Sequence, residues 1–264
     1  MPEGHTLHRL ARDQQRIFGG TTVAASSPQG RFADGAAQLD GQLLVRTEAY
    51  GKHLLHHYGN ERILHVHLGL YGKFTTGRGE PPEPRGALRL RLCNDDAWTD
   101  LRGPTACELV TPDAVDSLLA RLGPDPLRPR QDPDKAYRRI ARSRAPIGGL
   151  LMDQSVLAGV GNVYRAEVLF RARLDPLRPG RDVPERIWQG IWDDLVVLMR
   201  AGVRAGRIVT TDPADRPGGR VTRDKAYYVY RRTGLPCRIC STPIATAELA
   251  ARNLFWCPSC QAPN

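Results

Sequence analysis

Apolar positions near the start of the chain recur at helical spacing. Leu7, Leu10, Ala11 and then Ile17 or Phe18 fall on one stripe of GHTLHRLARDQQRIF, which predicts an amphipathic helix over 4–18. Gly19-Gly20 ends it. From about residue 21 to 111 the pattern shortens. VRTEAYGKHLLHHY, RILHVHLGLYGKF, ALRLRLCN and CELVT read as short strands, and GRGEPPEPRG (77–86) reads as a loop. Several short strands with little helix between them predict an antiparallel β-sandwich.

The segment LGPDPLRPRQDPD carries four prolines among its charges and marks a linker over 122–133. Beyond it the pattern turns helical. Helices are expected over 134–143, 146–153 and 163–172, with the glycine-punctuated turn QSVLAGVGN (154–162) before the third. Asp182 and Pro184 open a longer helix through IWQGIWDDLVVLMRAGVR. TDPADRPGGRVTRD (211–224) is polar and reads as a mobile loop. The whole is an α+β chain of two domains. Its parts are 1–121, the linker, a helical region over 134–232 and a cysteine-rich end over 233–264.

Hydrophobic residues make up 41% and charged residues 25% of the 264, which excludes a wholly disordered chain. No apolar run reaches the roughly 18 residues a membrane span needs, and MPEGHTLHRLA is no secretory signal. A cytoplasmic protein without a membrane partner is the expectation. Lys and Arg number 38 against 28 Asp and Glu, an excess of +10 that favours an anionic partner such as nucleic acid.

Cys93 and Cys107 stand alone. Cys237, Cys240, Cys257 and Cys260 form two Cys-x-x-Cys pairs sixteen residues apart. Four thiolates satisfy Zn²⁺ as a closed tetrahedron, and no His or Asp accompanies them to leave an open catalytic position. One structural Zn²⁺ in a hairpin finger is expected. Nine Lys or Arg against three Asp between Arg200 and Arg232 strengthen the nucleic-acid reading.

Pro2-Glu3 offers a second chemistry. Once Met1 is removed, Pro2 presents a secondary α-amine with a pKa of about 7.7–8.0, against about 10.4 for lysine. Such an amine can attack a sugar C1′. The adduct is a permanently charged iminium, which acidifies the neighbouring C2′ proton and favours elimination. Glu3 can protonate a leaving group or the opened sugar oxygen.

Three motifs, taken together, narrow the reading. They are Met1-Pro2-Glu3-Gly4, the run from Leu151-Met152-Asp153-Gln154 through Gly159-Val160-Gly161-Asn162-Val163-Tyr164-Arg165-Ala166-Glu167, and Ala251-Arg252-Asn253-Leu254-Phe255-Trp256-Cys257-Pro258-Ser259-Cys260-Gln261. In this order the chain resembles the bacterial formamidopyrimidine-DNA glycosylase/endonuclease VIII family of base-excision repair enzymes, over essentially its whole length. Its wording most resembles the actinobacterial endonuclease VIII-like branch. The resemblance implies an N-terminal β-sandwich carrying the first helix, then a helix–two-turn–helix domain with a zinc ribbon. Damaged DNA, in duplex form, would lie between the domains with the lesion flipped out. A monomer suffices for this.

The resemblance also assigns roles. Pro2 matches the Schiff-base nucleophile and Glu3 the proton donor. Lys52 matches a phosphate-contacting lysine assigned to β-elimination, and Arg252 a finger arginine assigned to δ-elimination. Asn162 and His67 match further backbone-contacting positions. Leu70 and Tyr71 sit where the family inserts its wedge, and Arg102 where a residue faces the orphaned base. Taken singly, these residues have plainer readings. Lys52 is a solvated strand lysine, and Arg252 a hairpin cap. His65 and His67 alternate with Leu64, Val66 and Leu68 as the polar face of a strand, too few for a zinc site.

Two departures bear on specificity. Asp100-Leu101-Arg102-Gly103-Pro104 lacks the Phe of the guanine-lesion branch, and Thr6 replaces a Glu common among relatives. With Leu70-Tyr71, this favours oxidised pyrimidines as substrates of a glycosylase/AP lyase acting by β,δ-elimination. The alternatives are the same chemistry on 8-oxoguanine or formamidopyrimidines, and a zinc-ribbon protein that binds damage without cutting.

Overall fold

The computed structural model describes residues 2–216, 221–222 and 224–263. They fall into two compact units, Met1–Arg121 and Leu122–Asn264. In chain order the first holds α1 (Gly4–Phe18), β1 (Thr21–Ser26), α2 (Ala33–Leu39), β2 (Gln42–Tyr50), β3 (His53–Tyr58) and β4 (Ile63–His67). It continues with β5 (Lys73–Arg78), β6 (Leu88–Cys93), β7 (Ala97–Arg102), β8 (Ala106–Val110) and α3 (Pro112–Ala120).

The strand order is β5-β7-β6-β1-β2-β3-β4-β8, antiparallel throughout. β1 changes partner halfway. Thr21–Val23 pair with Gln42–Leu44, whereas Ala24–Ser26 pair with Arg91–Cys93. A strand shared in this way lets one ribbon of strands close into two layers. Leu54, Leu64 and Val66 point from β3 and β4 into the core with Val23, Leu44, Leu90, Leu92 and Leu101. The side chains between them, including Leu55 and Ile63, point to the opposite face, where Val115 of α3 covers them.

α1 buries Leu7, Ala11 and Phe18 of the predicted stripe together with the polar Gln14, while Leu10 and Ile17 are partly buried against the same core. Polar bonds pin it to the sheet. His56 Nε2 donates to Gln14 Oε1 at 2.7 Å, the Thr47 amide donates to Gln15 Oε1 at 2.6 Å, and the Thr47 hydroxyl reaches the Ala11 carbonyl at 2.5 Å. The two helices α2 and α3 interrupt and close the strand region and were not evident in its pattern. α3 is started by Thr111, whose hydroxyl accepts the Ala114 amide, with Pro112 next.

The second unit holds α4 (Pro133–Ile140), α5 (Ile147–Leu150), α6 (Asn162–Arg171), α7 (Glu185–Ala205), β9 (Ala245–Leu249) and β10 (Arg252–Trp256). The helix expected over 146–153 shrinks to a single turn around Gly148-Gly149, as low glycine propensity explains. The long helix starts after Pro184 and stops at Gly206, which is left-handed with φ 69°. Tyr164, Leu169, Trp188, Leu195 and Met199 form the core. The proline-rich segment at the head of this unit is packed, with Asp125 fully buried and accepting the Leu127 amide at 2.8 Å. Of the polar loop expected over 211–224, residues 217–220 and 223 lie outside the described residues. At its near end the Thr211 hydroxyl is bonded to the Lys225 carbonyl at 2.8 Å. Among the described residues no helix is long and apolar enough to cross a membrane.

Candidate active site and nucleic-acid interface

In the first unit, Pro2 and Glu3 stand at the head of α1. Glu3 is its N-cap, with extended backbone, and its carbonyl accepts the Thr6 amide at 2.8 Å. The Glu3 side chain is fully buried, whereas Pro2 keeps some exposure. α1 is bonded to β2 and β3 through Ala11, Gln14 and Gln15 and packs its buried stripe from Leu7 to Phe18 on the core, which holds the helix that these two residues head. His5, two residues on, is buried as well, and burial lowers its pKa to about 4, so it is neutral at pH 7.

Lys52 lies in the two-residue turn between β2 and β3, flanked by the pair Tyr50 and His53. Gly51 has φ 55°, a value two-residue hairpin turns demand at the first central position and glycine accepts without cost. His53 faces His67 across the strand pair, with ring centroids 5.2 Å apart. Burial lowers the pKa of both, that of His53 to about 3. His65 is not the solvated strand position that its alternation predicts. It is 7% exposed, bonded to His53 at 2.9 Å and to Glu108 of β8 at 2.9 Å. The polar period of β4 marks a second packed face.

Leu70 and Tyr71 stand on the turn between β4 and β5. Leu68 is buried and its carbonyl accepts the Gly72 amide at 2.9 Å, which closes the turn. A Cβ at Gly72 would lie 2.2 Å from that carbonyl oxygen, so only glycine fits. The two side chains between are thrown outward, Leu70 46% and Tyr71 86% exposed. Among the described residues of this unit, Leu43 and Val45 on β2 are also exposed, at 44% and 48%, but Tyr71 is the most exposed large apolar side chain.

Arg102 ends β7. Its Nη2 meets Asp100 Oδ2 at 2.8 Å and its Nε the Arg85 carbonyl at 3.1 Å. Asp100 is fully buried and also takes a two-pronged contact from Arg91, at 2.6 and 2.9 Å. One carboxylate thus orients two guanidinium groups. β7 and β8 are joined only by residues 103–105.

In the second unit, Asn162 opens α6, and Arg252 opens β10 beside the Ala250-Ala251 turn. Both alanines are left-handed, with φ 54° and 53°, where glycine or asparagine is usual. Asn162 Nδ2 donates to the Asn253 carbonyl at 3.0 Å. Arg165, fully buried, donates to Asn162 Oδ1 and to the carbonyls of Gly148, Leu249 and Asn253, each carbonyl at 3.3 Å. Glu167, also fully buried, accepts the Thr210 hydroxyl and the amides of Tyr228, Val229 and Tyr230 at 2.8–2.9 Å. The motif containing Asn162 therefore organises the hairpin and the preceding loop from within. Arg165 and Glu167 belong to the motif read in the sequence but received no role there, and His53 and Glu108 were not singled out. For Glu167 and Arg165 the available signal was a charge on an otherwise apolar helix.

Cys237, Cys240, Cys257 and Cys260 bring four sulfurs within 4.8 Å of one another. Sulfur pairs lie at 3.4 Å (Cys240–Cys257 and Cys240–Cys260) and 3.9 Å (Cys237–Cys260). Tetrahedral zinc at its usual bond length of about 2.3 Å needs sulfurs about 3.8 Å apart. The set fits zinc, and the hairpin bearing Arg252 ends at it.

An N-terminal sandwich, a helical unit and a four-cysteine finger define the class of DNA glycosylases built on a helix–two-turn–helix. Residues 1–107 match the formamidopyrimidine-DNA glycosylase N-terminal domain, 122–213 the H2TH domain of the same enzymes, and 234–263 the zinc finger found in FPG and IleRS. The chain is 54% identical over 267 residues to Endonuclease 8 1 of Mycobacterium tuberculosis, covering 99% of this chain and 100% of the relative. It is 31% identical over 270 residues to Endonuclease 8 of Escherichia coli, with the same coverage. In fold it is similar to Lactococcus lactis Fpg in complex with DNA containing an abasic site, with TM-score 0.84 and 21% identity over 99% of this chain and all of that one. The chain belongs to the formamidopyrimidine-DNA glycosylase/endonuclease VIII family.

Proposed function

We propose that this glycosylase excises oxidised pyrimidines from duplex DNA and nicks the strand by β,δ-elimination. The observation that carries the chemistry is the head of α1, where an N-terminal proline adjoins a buried carboxylate on a helix fixed to the sheet. With Met1 removed, the Pro2 nitrogen attacks C1′ and the glycosidic bond breaks. Glu3 supplies the proton for the departing base or the opened sugar oxygen. The resulting iminium draws electrons from C2′, whose proton leaves as the 3′ phosphate departs. Lys52 serves this β-elimination and Arg252 the following δ-elimination. His67 and Asn162 grip the backbone phosphates, which positions the duplex.

Substrate preference follows from the wedge. Leu70 and Tyr71 are the exposed apolar pair available to fill the gap left by a flipped nucleotide. The 103–105 link is too short to add a second wedge, and Arg102, steadied by Asp100, offers its remaining nitrogen to the orphaned base. The four cysteines hold one structural Zn²⁺ that presents the finger. The site of action is the bacterial cytoplasm, and a monomer suffices.

Borohydride trapping on two duplexes, one with 5-hydroxyuracil and one with 8-oxoguanine, tests the assignment. A covalent complex formed chiefly on the pyrimidine lesion is expected. Trapping chiefly on 8-oxoguanine overturns the substrate, and no adduct on either or on a plain abasic site overturns the chemistry.

A further inference from the structure

A chain of three side chains runs through the first unit beside Lys52. Glu108 Oε1 meets His65 Nδ1 at 2.9 Å, and His65 Nε2 meets His53 Nδ1 at 2.9 Å, with the two rings stacked at 5.1 Å. Glu108 pairs with His65 across β4 and β8, and His53 with His67 across β3 and β4, so the backbone register sets the chain.

Its proton positions follow from valence. An ionised carboxylate only accepts, so His65 carries its proton on Nδ1 and, when neutral, has a bare Nε2. His53 must then donate from Nδ1, which leaves its Nε2 bare. A proton arriving at His53 Nε2 can be balanced by passing the Nδ1 proton to His65. The added charge then rests against Glu108. One proton enters, one moves by a single bond, and no other bond changes.

The groups bearing on His53 are His65 and His67 of β4, Lys52 in the adjoining turn, Arg121 just past α3 and, through His65, Glu108 of β8. The acid of β2 on this side, Glu48, is taken by His57 and Arg46. Burial first, then the neighbouring His65 and Lys52, lower the pKa of both His53 and His67, and His67 and Arg121 add to the effect on His53. An anion beside Lys52 and His67 would reverse that balance.

We propose that His53 is a positioning residue of the Lys52–His67 phosphate grip, taking up a proton through the His65–Glu108 chain as the DNA phosphate docks. This rests on the reading that Lys52 and His67 meet phosphate. Binding would then weaken as pH rises from 6 to 8, by up to about tenfold per unit for one proton.

The test is calorimetry with a duplex carrying a tetrahydrofuran abasic analogue, which cannot be cut. It is run at constant ionic strength in PIPES and in imidazole, whose ionisation heats differ. The wild-type chain is expected to take up a substantial fraction of one proton at pH 7. His53→Asn and His53→Gln should lose most of that uptake and bind more weakly at pH 7, still within measurable range, and Glu108→Gln should reduce the uptake. A purely structural role for His53 would alter affinity and leave the proton count unchanged. Binding without proton uptake, or uptake undiminished in both His53 variants, overturns the inference alone. Absence of binding by the wild-type chain overturns the phosphate-grip reading and the inference with it.

Discussion

The buried guanidinium of Arg165 donates to the carbonyl oxygen of Asn253 at 3.3 Å, and Asn162 reaches the same oxygen at 3.0 Å. A residue of α6 thereby holds the strand that begins with Arg252. Burying an arginine is costly, and here at least four acceptors offset the cost. Arg165→Met would remove the guanidinium from all of these acceptors, leaving the Asn253 carbonyl its bond from Asn162, at about 1–3 kcal/mol for each acceptor left unsatisfied away from water. The expected outcome is a lower midpoint of thermal unfolding and at least tenfold weaker binding of abasic-site DNA, with zinc content unchanged. Zinc analysis and a binding titration on the same preparation check this. Wild-type affinity in the variant would show that Arg165 does not position the finger.

Tyr71 separates function from stability. At 86% exposure its side chain contributes little to the fold, so Tyr71→Ala should unfold within about 0.5 kcal/mol of wild type. If Leu70 and Tyr71 fill the gap as proposed, excision from a lesion-bearing duplex should nevertheless slow by at least tenfold in this variant. Single-turnover excision rates beside a denaturant melt provide the comparison.

His56 makes the first unit sensitive to acid. It is fully buried, and burial lowers its pKa to about 3 from an unfolded value of about 6.5. The unfolded chain therefore binds more protons than the folded one between those values. Stability from this group is complete above about pH 6.5 and is lost as pH falls toward 3. His5 and His53 add in the same direction. A His56→Leu, Gln14→Leu double variant, which removes both bonded partners, should show a shallower fall of melting temperature between pH 6.5 and 4. An unchanged slope would assign the acid sensitivity elsewhere.

Cys257 is fully buried, and its sulfur is 3.4 Å from that of Cys240. Cys257→Ser should lose zinc, because a hydroxyl does not replace a thiolate, and should lose DNA binding as the finger comes apart. Metal analysis after gel filtration measures the first effect. A full equivalent of zinc in the variant would contradict the four-cysteine site.

The features legible in the sequence were those set by local pattern. α1 was visible because Leu7, Ala11 and Phe18 repeat at helical spacing, and the finger because two Cys-x-x-Cys pairs recur close together. What stayed hidden depends on distant partners. His65 has the alternation of a solvated position, and only the arrival of Glu108 and α3 makes its face an interior one. α6 is buried from Asn162 through Phe170, so no amphipathic period marks Arg165 or Glu167 as anchors. Gly148-Gly149 shortened a helix that the apolar pattern alone extends.

The Pro2 nitrogen is the proposed nucleophile. The most direct measurement is peptide mapping by mass spectrometry of the complex trapped with borohydride on 5-hydroxyuracil DNA, after intact mass has shown Met1 to be removed. The account predicts the sugar remnant on the N-terminal peptide, attached at Pro2, and no trapped complex from Pro2→Gly. A remnant on Lys52, or efficient trapping by Pro2→Gly, would contradict it.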